Sequence, residues 1–359
     1  MQGLAFLILL FCSVFVHAAG VRSPRLRPSP YFGSISGIKY SDLKDLGKHN
    51  YDFFLGEKNP LVYTAKAGYI DIGHLRESAD RARYLFEICN ENIVKGNREF
   101  SYKVIEQAVY QVMIEYPDNW HQLSDTERRA ASREVSIDLG QYFAQQSTIW
   151  HEIVTWYGYS SVGLLSEQPS SFSWEDTYSD LLGTKLAAMV LRENSKSYNE
   201  AMTEIIAREL TKLGPQSPKI ARKATDRIKG QWYSGRYPFL KMKKRNFDVG
   251  IDDGAISPFR VPGILSDTPE AVCVLPPMDS LSKYGFEMNL KMRPKESQKK
   301  QVLKIIYPKK KGVVLQPDIH FPIIIDHIRQ EAIRKVGWNV DKPSLDNTAS
   351  SEVAFSKVN

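Results

Sequence analysis

The sequence predicts an α+β protein: a mainly helical bundle carrying a small antiparallel sheet, with an irregular C-terminal portion packed on it rather than standing as an independent domain. Three observations carry this expectation. Apolar residues recur at spacings of three and four along residues 72–93, and comparable helical patterns return at 124–156, 173–194 and 198–213. Residues 108–116 instead alternate apolar and less apolar side chains, the period of a half-buried strand. Beyond Gly230, Gly, Pro and short apolar runs replace the helical period until Pro322.

From the N-terminus, Leu4 to Val16 is almost wholly apolar and leads into Ala18-Ala19-Gly20, small residues suited to signal-peptidase cleavage. The run is shorter than the roughly 20 apolar residues a bilayer crossing needs. Residues 1–19 are therefore expected to be a cleaved signal peptide, which places the mature chain in the periplasm or outside the cell. Cys12 follows the bulky Phe11, a poor context for lipid attachment. Residues 20–38, rich in Pro, Ser, Gly and Arg, read as an irregular lead-in; 39–340 as one globular domain that changes character near 230; and 341–359 as a loose polar tail.

Within the domain, Leu61 to Ile70 reads as a strand, with a helix from Asp71 that Gly96 ends. Residues 99–105 form the expected hairpin partner of the strand at 108–116, which stops at Pro117-Asp118-Asn119. Ser124 with Glu127 is a capping box opening a helical region that should break at least once before Trp156. Ser173 with Asp176 repeats the start signal. The next helix closes at Gly214-Pro215, and a last one is expected from Pro322, at its start, to Gly337.

The formal net charge of +7 is unevenly spread. Residues 219–245 hold ten Lys or Arg against Asp226, and 291–311 hold nine against Glu296. Such density suits contact with an anionic cell-wall polymer or lipid head groups, and equally a solvated face without a partner. The export signal and the lack of any binding motif argue against nucleic acid. Cys89 and Cys273 survive processing. Their apolar neighbours suit core positions better than a disulfide, although an oxidising compartment would permit one.

The segment Ser147 to Ser160 carries the most chemistry. His151 and Glu152 are adjacent on a Trp-rich helix, which is how a zincin metalloprotease begins its motif, with the His as ligand and the Glu as general base. The residue four after His151, where the second ligand belongs, is Thr155, so an orthodox zincin is excluded. Gluzincin peptidases place an acidic ligand about two dozen residues on. Here Glu175 and Asp176 stand in that region, Asp176 also being the expected capping partner of Ser173. Asp71 and His74, three apart on a first helical turn, offer a replacement His with a carboxylate beside it, and Gly68 and Gly73 around them hint at a close backbone approach. Gln141, Gln145, Thr148, Glu152 and Thr155 form one polar stripe, which either meets water or lines a cleft.

Lys66 to Arg76, Ser147 to Ser161 and Phe172 to Gly183 together resemble the signature blocks of an uncharacterised, DUF4056-like family of exported bacterial proteins, and the resemblance covers nearly the whole mature chain. It implies no activity, substrate or cofactor. Two functions are expected on the residues themselves. One is a metal-dependent hydrolase of the cell envelope, acting on a peptide or cell-wall bond. Its divalent ion, zinc by ligand type, is held by His74, His151 and Glu175, with Glu152 as base and Asp71, Asp176 and Thr155 as supporting or alternative ligands. The other is a non-catalytic envelope protein that binds an anionic polymer or lipid through the basic stretches, its His–Glu cluster being a structural hydrogen-bond network.

Overall fold

A computed structural model describes residues 40–50, 56–160, 167–193, 195–235, 241–265, 267–309 and 311–336. The expected signal peptide, lead-in and loose tail lie outside them. The stretch 61–70 is not one strand but a hairpin: β1 (Leu61–Thr64) pairs antiparallel with β2 (Gly68–Asp71), Leu61 opposite Asp71. Gly68 makes the turn possible. Its φ is +68°, and a Cβ there would lie 2.2 Å from the Phe259 carbonyl oxygen, so only glycine fits.

Helix α1 (Ile72–Val94) starts at Asp71, whose Oδ1 accepts from the Gly73 and His74 amides at 2.7 and 3.0 Å. Strands β3 (Glu99–Tyr102) and β4 (Val109–Glu115) pair antiparallel, and β4 buries Tyr110, Val112 and Ile114 while exposing the residues between. The expected break in the next helix does not occur: α2 (Asp125–Trp156) is continuous for 32 residues. Its capping box forms, with Glu127 Oε2 accepting the Ser124 amide at 2.8 Å. Gly140, the weak helix former at its middle, is the point of closest approach to α1. A Cβ at Gly140 would meet the Ala82 carbonyl oxygen at 2.8 Å.

Helix α3 (Asp176–Glu193) crosses α1 still more closely, because a Cβ at Gly183 would lie 2.0 Å from the Leu75 carbonyl oxygen. Helices α1, α2 and α3 enclose the main core around Leu75, Ala79, Leu85, Leu139, Phe143, Ile153, Leu181 and Leu186. Then come α4 (Tyr198–Lys212) and α5 (Pro218–Ile228), the latter a helix the sequence pattern did not announce. It is short and basic, but Ala221, Ala224 and Ile228 lie on one side and pack into a second core with Tyr63, Tyr69, Trp174 and Trp232.

The C-terminal portion, expected to be irregular, opens with two pairs of two-residue strands. The hairpins β5–β6 (Tyr233–Ser234, Lys241–Met242) and β7–β8 (Ala255–Ile256, Cys273–Val274) precede α6 (Asp279–Tyr284). Strand β9 (Glu287–Arg293), not foreseen, pairs with β4 along its length and gives a sheet ordered β3-β4-β9. After α7 (Lys299–Ile306) the last helix, α8 (Pro317–Val336), begins five residues before Pro322. Pro317 is the true first-turn proline, and Pro322 sits inside the helix, which gives up one backbone hydrogen bond there. Glu296 ties this portion down, accepting from the Ala108 amide at 2.8 Å and from Trp150 Nε1 at 3.0 Å. Cys89 and Cys273 are both buried free thiols, so they occupy core positions without forming a disulfide.

Candidate metal centre

The tight crossing at Gly183 sets the first turns of α1 and α3 side by side. Asp71 and His74 come from one, Asp176 and Asp180 from the other, the two acids being one helical turn apart and so on the same face. His74 Nδ1 lies 3.7 Å from Asp176 Oδ1 and 3.6 Å from Asp180 Oδ1. Asp71, His74 and Asp176 each offer a donor atom, all within 4.8 Å of one another. The backbone is fixed too: the Asp71 amide donates to Ser179 Oγ at 2.9 Å, and that hydroxyl donates to the Glu175 carbonyl at 2.6 Å. Asp180 Oδ1 accepts from Ser78 Oγ at 2.6 Å. The His74 side chain keeps 27% of its surface exposed, so the cluster has a way out to solvent.

The cluster is crowded with carboxyl groups. Glu175 is fully buried and neither of its carboxylate oxygens has a hydrogen-bond partner; Asp176 Oδ1 is equally buried and unpartnered. Burial pushes the Glu175 carboxyl up to about 8, with Asp71 adding to the effect. Burial also raises Asp176 far above the usual carboxylate range, and the neighbouring His74 only partly offsets it. For His74 burial acts downward, but Asp176, Asp180 and Asp71 outweigh it and hold the imidazole well above its ordinary value. Glu152, from α2, also titrates high because of burial, and feels His151, Asp180 and His74. Its Oε2 accepts the amide of Phe172, a non-glycine residue in the left-handed region at φ +52°. Arg245 anchors that loop by donating to the carbonyls of Gln168, Pro169 and Ser171, and burial brings its guanidinium down to about 10.

His151 belongs to an adjoining network. Its Nδ1 is 2.9 Å from Glu106 Oε1, a carboxylate with no solvent exposure, while Nε2 lies 3.5 Å from Thr155 Oγ1 and 4.0 Å from Glu167 Oε2. Arg81, 3.6 Å from Glu106, is itself bonded to Ser147 Oγ and Glu77. Burial alone would lower His151, yet the Glu106 bond and charge raise it to about 9. Glu106 is held at about 2, because Arg81 and His151 overcome its burial.

The structure thus gathers His74, Asp71, Asp176 and Asp180 closely, with Glu175 and Glu152 in electrostatic contact with them. It pairs His151 with Glu106, and places Thr155 against the His151 ring rather than in the acidic cluster. The expected capping box at the start of α3 is not formed: the Ser173 hydroxyl has no hydrogen-bond partner, which leaves Asp176 Oδ1 directed elsewhere. Exposure of the α2 polar stripe is also overturned, since Gln141, Gln145, Thr148, Glu152 and Thr155 are all buried. Arg245, read with the basic surface, is buried as well. Asp180 was legible four residues after Asp176. Glu106 and Arg81 were not, because neither stands in a pattern that marks it.

A second acidic group, Asp248, Asp252 and Asp253, is largely exposed, and Asp248 serves its own turn by accepting from the Gly250 and Ser257 amides. Among known proteins, a family model described as protein of unknown function (DUF4056) matches residues 35–254. No curated protein and no solved structure is significantly similar to the chain.

Proposed function

The chain belongs to the DUF4056 family of proteins of unknown function, and we propose that it is an exported metal-dependent hydrolase of the cell envelope, acting on a peptide or cell-wall bond. The observation that carries this reading is the spacing of His74 Nδ1 and Asp176 Oδ1. At 3.7 Å they are too far apart for a hydrogen bond. They stand close to the roughly 3.4 Å that separates two donors on a tetrahedral zinc ion with bonds of about 2.1 Å. Asp176 Oδ1 is buried with no other partner, which is what an oxygen reserved for a cation looks like.

Asp71, His74 and Asp176 would hold the ion. Glu175, buried beside them but outside the set of donors that lie within 4.8 Å of one another, would offset the charge of the ion. Mixed nitrogen and oxygen donors suit zinc among the available divalent metals. The ion would act as a Lewis acid toward water and a substrate carbonyl or phosphoryl oxygen. The remaining roles fall to the chain's own groups. Glu152, poised high by burial and oriented by the Phe172 amide, would accept a proton from the attacking water. His151, kept charged by Glu106, would donate a hydrogen bond to the substrate rather than ligate.

The test is elemental analysis of mature protein purified without a metal-affinity tag, alongside variants. The parent should carry close to one equivalent of zinc, Asp176→Asn should lose it, and Glu152→Gln should keep it while losing cleavage of purified peptidoglycan or of a peptide library. An Asp176→Asn protein that binds zinc as the parent does would remove the centre from consideration.

A further inference from the structure

Among the described residues, Phe172 and Leu265 are the non-glycine residues in the left-handed region, at φ +52° and +58°. Leu265 lies at an exposed bend, where such a conformation has room. Phe172 is completely buried, and a bulky side chain has no local reason to leave the right-handed region there. At the other positive-φ positions the chain uses glycine. What the conformation at Phe172 achieves is the direction of one amide, which donates to Glu152 Oε2.

Three consecutive residues hold Phe172 in that conformation. Arg245 donates to the carbonyls of Gln168 at 3.3 Å, of Pro169 at 2.8 Å and of Ser171, which fixes the approach to it. The Asn246 amide donates to the Phe172 carbonyl at 2.8 Å. The Phe247 ring packs on the Phe172 ring with centroids 4.9 Å apart, and it also meets Trp156, one turn past Glu152 on α2, at 6.1 Å. Asn246 reaches furthest of the three. Its Nδ2 donates to Thr177 Oγ1 at 2.7 Å and its Oδ1 accepts the Asp248 amide at 3.0 Å, so both ends of the side-chain amide are fixed. Asn246 is 1% exposed, and water does not compete for these bonds. Thr177 follows Asp176 in the first turn of α3.

We propose that Asn246 is a positioning residue of the centre, setting the Glu152 carboxylate of α2 and the Asp176 carboxylate of α3 in one frame. The connection has three links. The Phe172 N–H holds Glu152, the Phe172 carbonyl holds the Asn246 backbone, and the Asn246 side chain holds Thr177 beside Asp176. A base and a metal ligand carried on separate helices need such a tie, because an error of about 1 Å between reacting groups costs about a hundredfold in rate. Asn246 acts only through these neighbours. Its consequence for catalysis rests on the reading of Glu152 as base and Asp176 as ligand, whereas its hold on the Phe172 amide is independent of that reading.

Amide hydrogen exchange of the EDTA-treated mature protein, resolved to single residues by mass spectrometry, tests the linkage. Asn246→Ala and Thr177→Val should each speed exchange at Phe172 by at least about tenfold, toward its rate in Glu152→Ala, because local opening no longer has to break the same bonds. Combining the two should add nothing beyond the faster single variant, as for partners in one bond. Thr177→Ser, which keeps the hydroxyl, should match the parent. The two single variants lie on opposite sides of the bond, so either decides the matter should the other fail to fold. Exchange at Leu139 and Phe143, in the middle of α2, should stay at the parent rate. The proposal is overturned by parent-like exchange at Phe172 in the single variants, or by a rise that Leu139 and Phe143 share, which is loss of packing alone. With zinc in excess and a cleaved peptide in hand, Asn246→Ala should lower kcat at least about tenfold and leave KM within about twofold. A loss confined to KM overturns the positioning role. A parent that binds no zinc and cleaves nothing refutes the hydrolase reading, while exchange at Phe172 still decides what Asn246 holds.

Discussion

His151 and Glu175 are both displaced from their ordinary titration ranges, and both make the metal-free protein lose stability as the pH rises, over windows that overlap between 6.5 and about 8. His151 rises from 6.5 to about 9 in the folded state, so its contribution is complete below 6.5 and disappears as the pH climbs through 9. Glu175 rises from 4.5 to about 8, so its burial carries no charge penalty while it is protonated and acquires one as the pH passes 4.5 toward 8. Glu106 runs the other way: its depressed value contributes stability above 4.5 that is lost as the pH falls through about 2. Thermal unfolding of EDTA-treated protein should therefore show a midpoint that declines between pH 6.5 and 9. Glu175→Gln should flatten the decline, and so should His151→Gln; identical pH profiles in parent and variants would refute the assignment. At this scale the sequence was half legible. His74, Glu152, Asp71 and Asp176 could be picked out by residue type and spacing, whereas Glu106 stands in a loop after β3 and reaches His151 only through the fold. Asp176 was legible as an acid but assigned to the wrong partner, because a capping pattern shows where a hydroxyl stands and not where it points.

Elements were legible where a period ran long enough to be counted. Helix α1 and strand β4 matched their patterns; β9 did not show itself because its pairing partner lies some 180 residues away and its exposed face is charged, with Glu287, Lys291 and Arg293. The break expected in α2 does not occur, and the structure shows what Gly140 does there: it is a contact surface rather than a hinge. The same logic at Gly183 gives a prediction. Gly183→Ala would drive a methyl group into the Leu75 carbonyl, and because that neighbour is backbone it cannot rotate away. The two helices must separate, at a cost of about 3 kcal/mol in urea unfolding. Separation also moves His74 from Asp176, so zinc affinity should fall by about tenfold or more. An alanine variant with unchanged stability and affinity would show that the crossing is looser than its geometry indicates.

Across the whole molecule, the family match stops at residue 254, but the fold does not. Strand β9 covers the outer edge of β4, and Glu296 satisfies both the Ala108 amide and the Trp150 indole. A chain ending at 254 would leave β4 as an exposed edge and Trp150 Nε1 without its carboxylate, an aggregation hazard together with an unsatisfied buried donor. Expressed from residue 40, such a fragment should be insoluble or unfold without cooperativity, while one extending to 336 should give a single sharp transition. A soluble, cooperatively unfolding 40–254 fragment would contradict this. The mixed reading of the C-terminal portion follows from its physics: short strands and turns carry little local period, and what attaches them is a buried carboxylate and long-range pairing. The Trp150–Glu296 bond also gives spectroscopy a handle. In a nitrogen-15 spectrum the six tryptophans supply six indole signals, and only one arises next to His151 on the helix that carries Glu152. Trp156 on the same helix also donates to a carboxylate, that of Glu331, and protons held in this way resonate downfield of their peers, so two peaks, told apart by Trp156→Phe, would report whether the distal portion of the chain is seated on α2 in the intact protein.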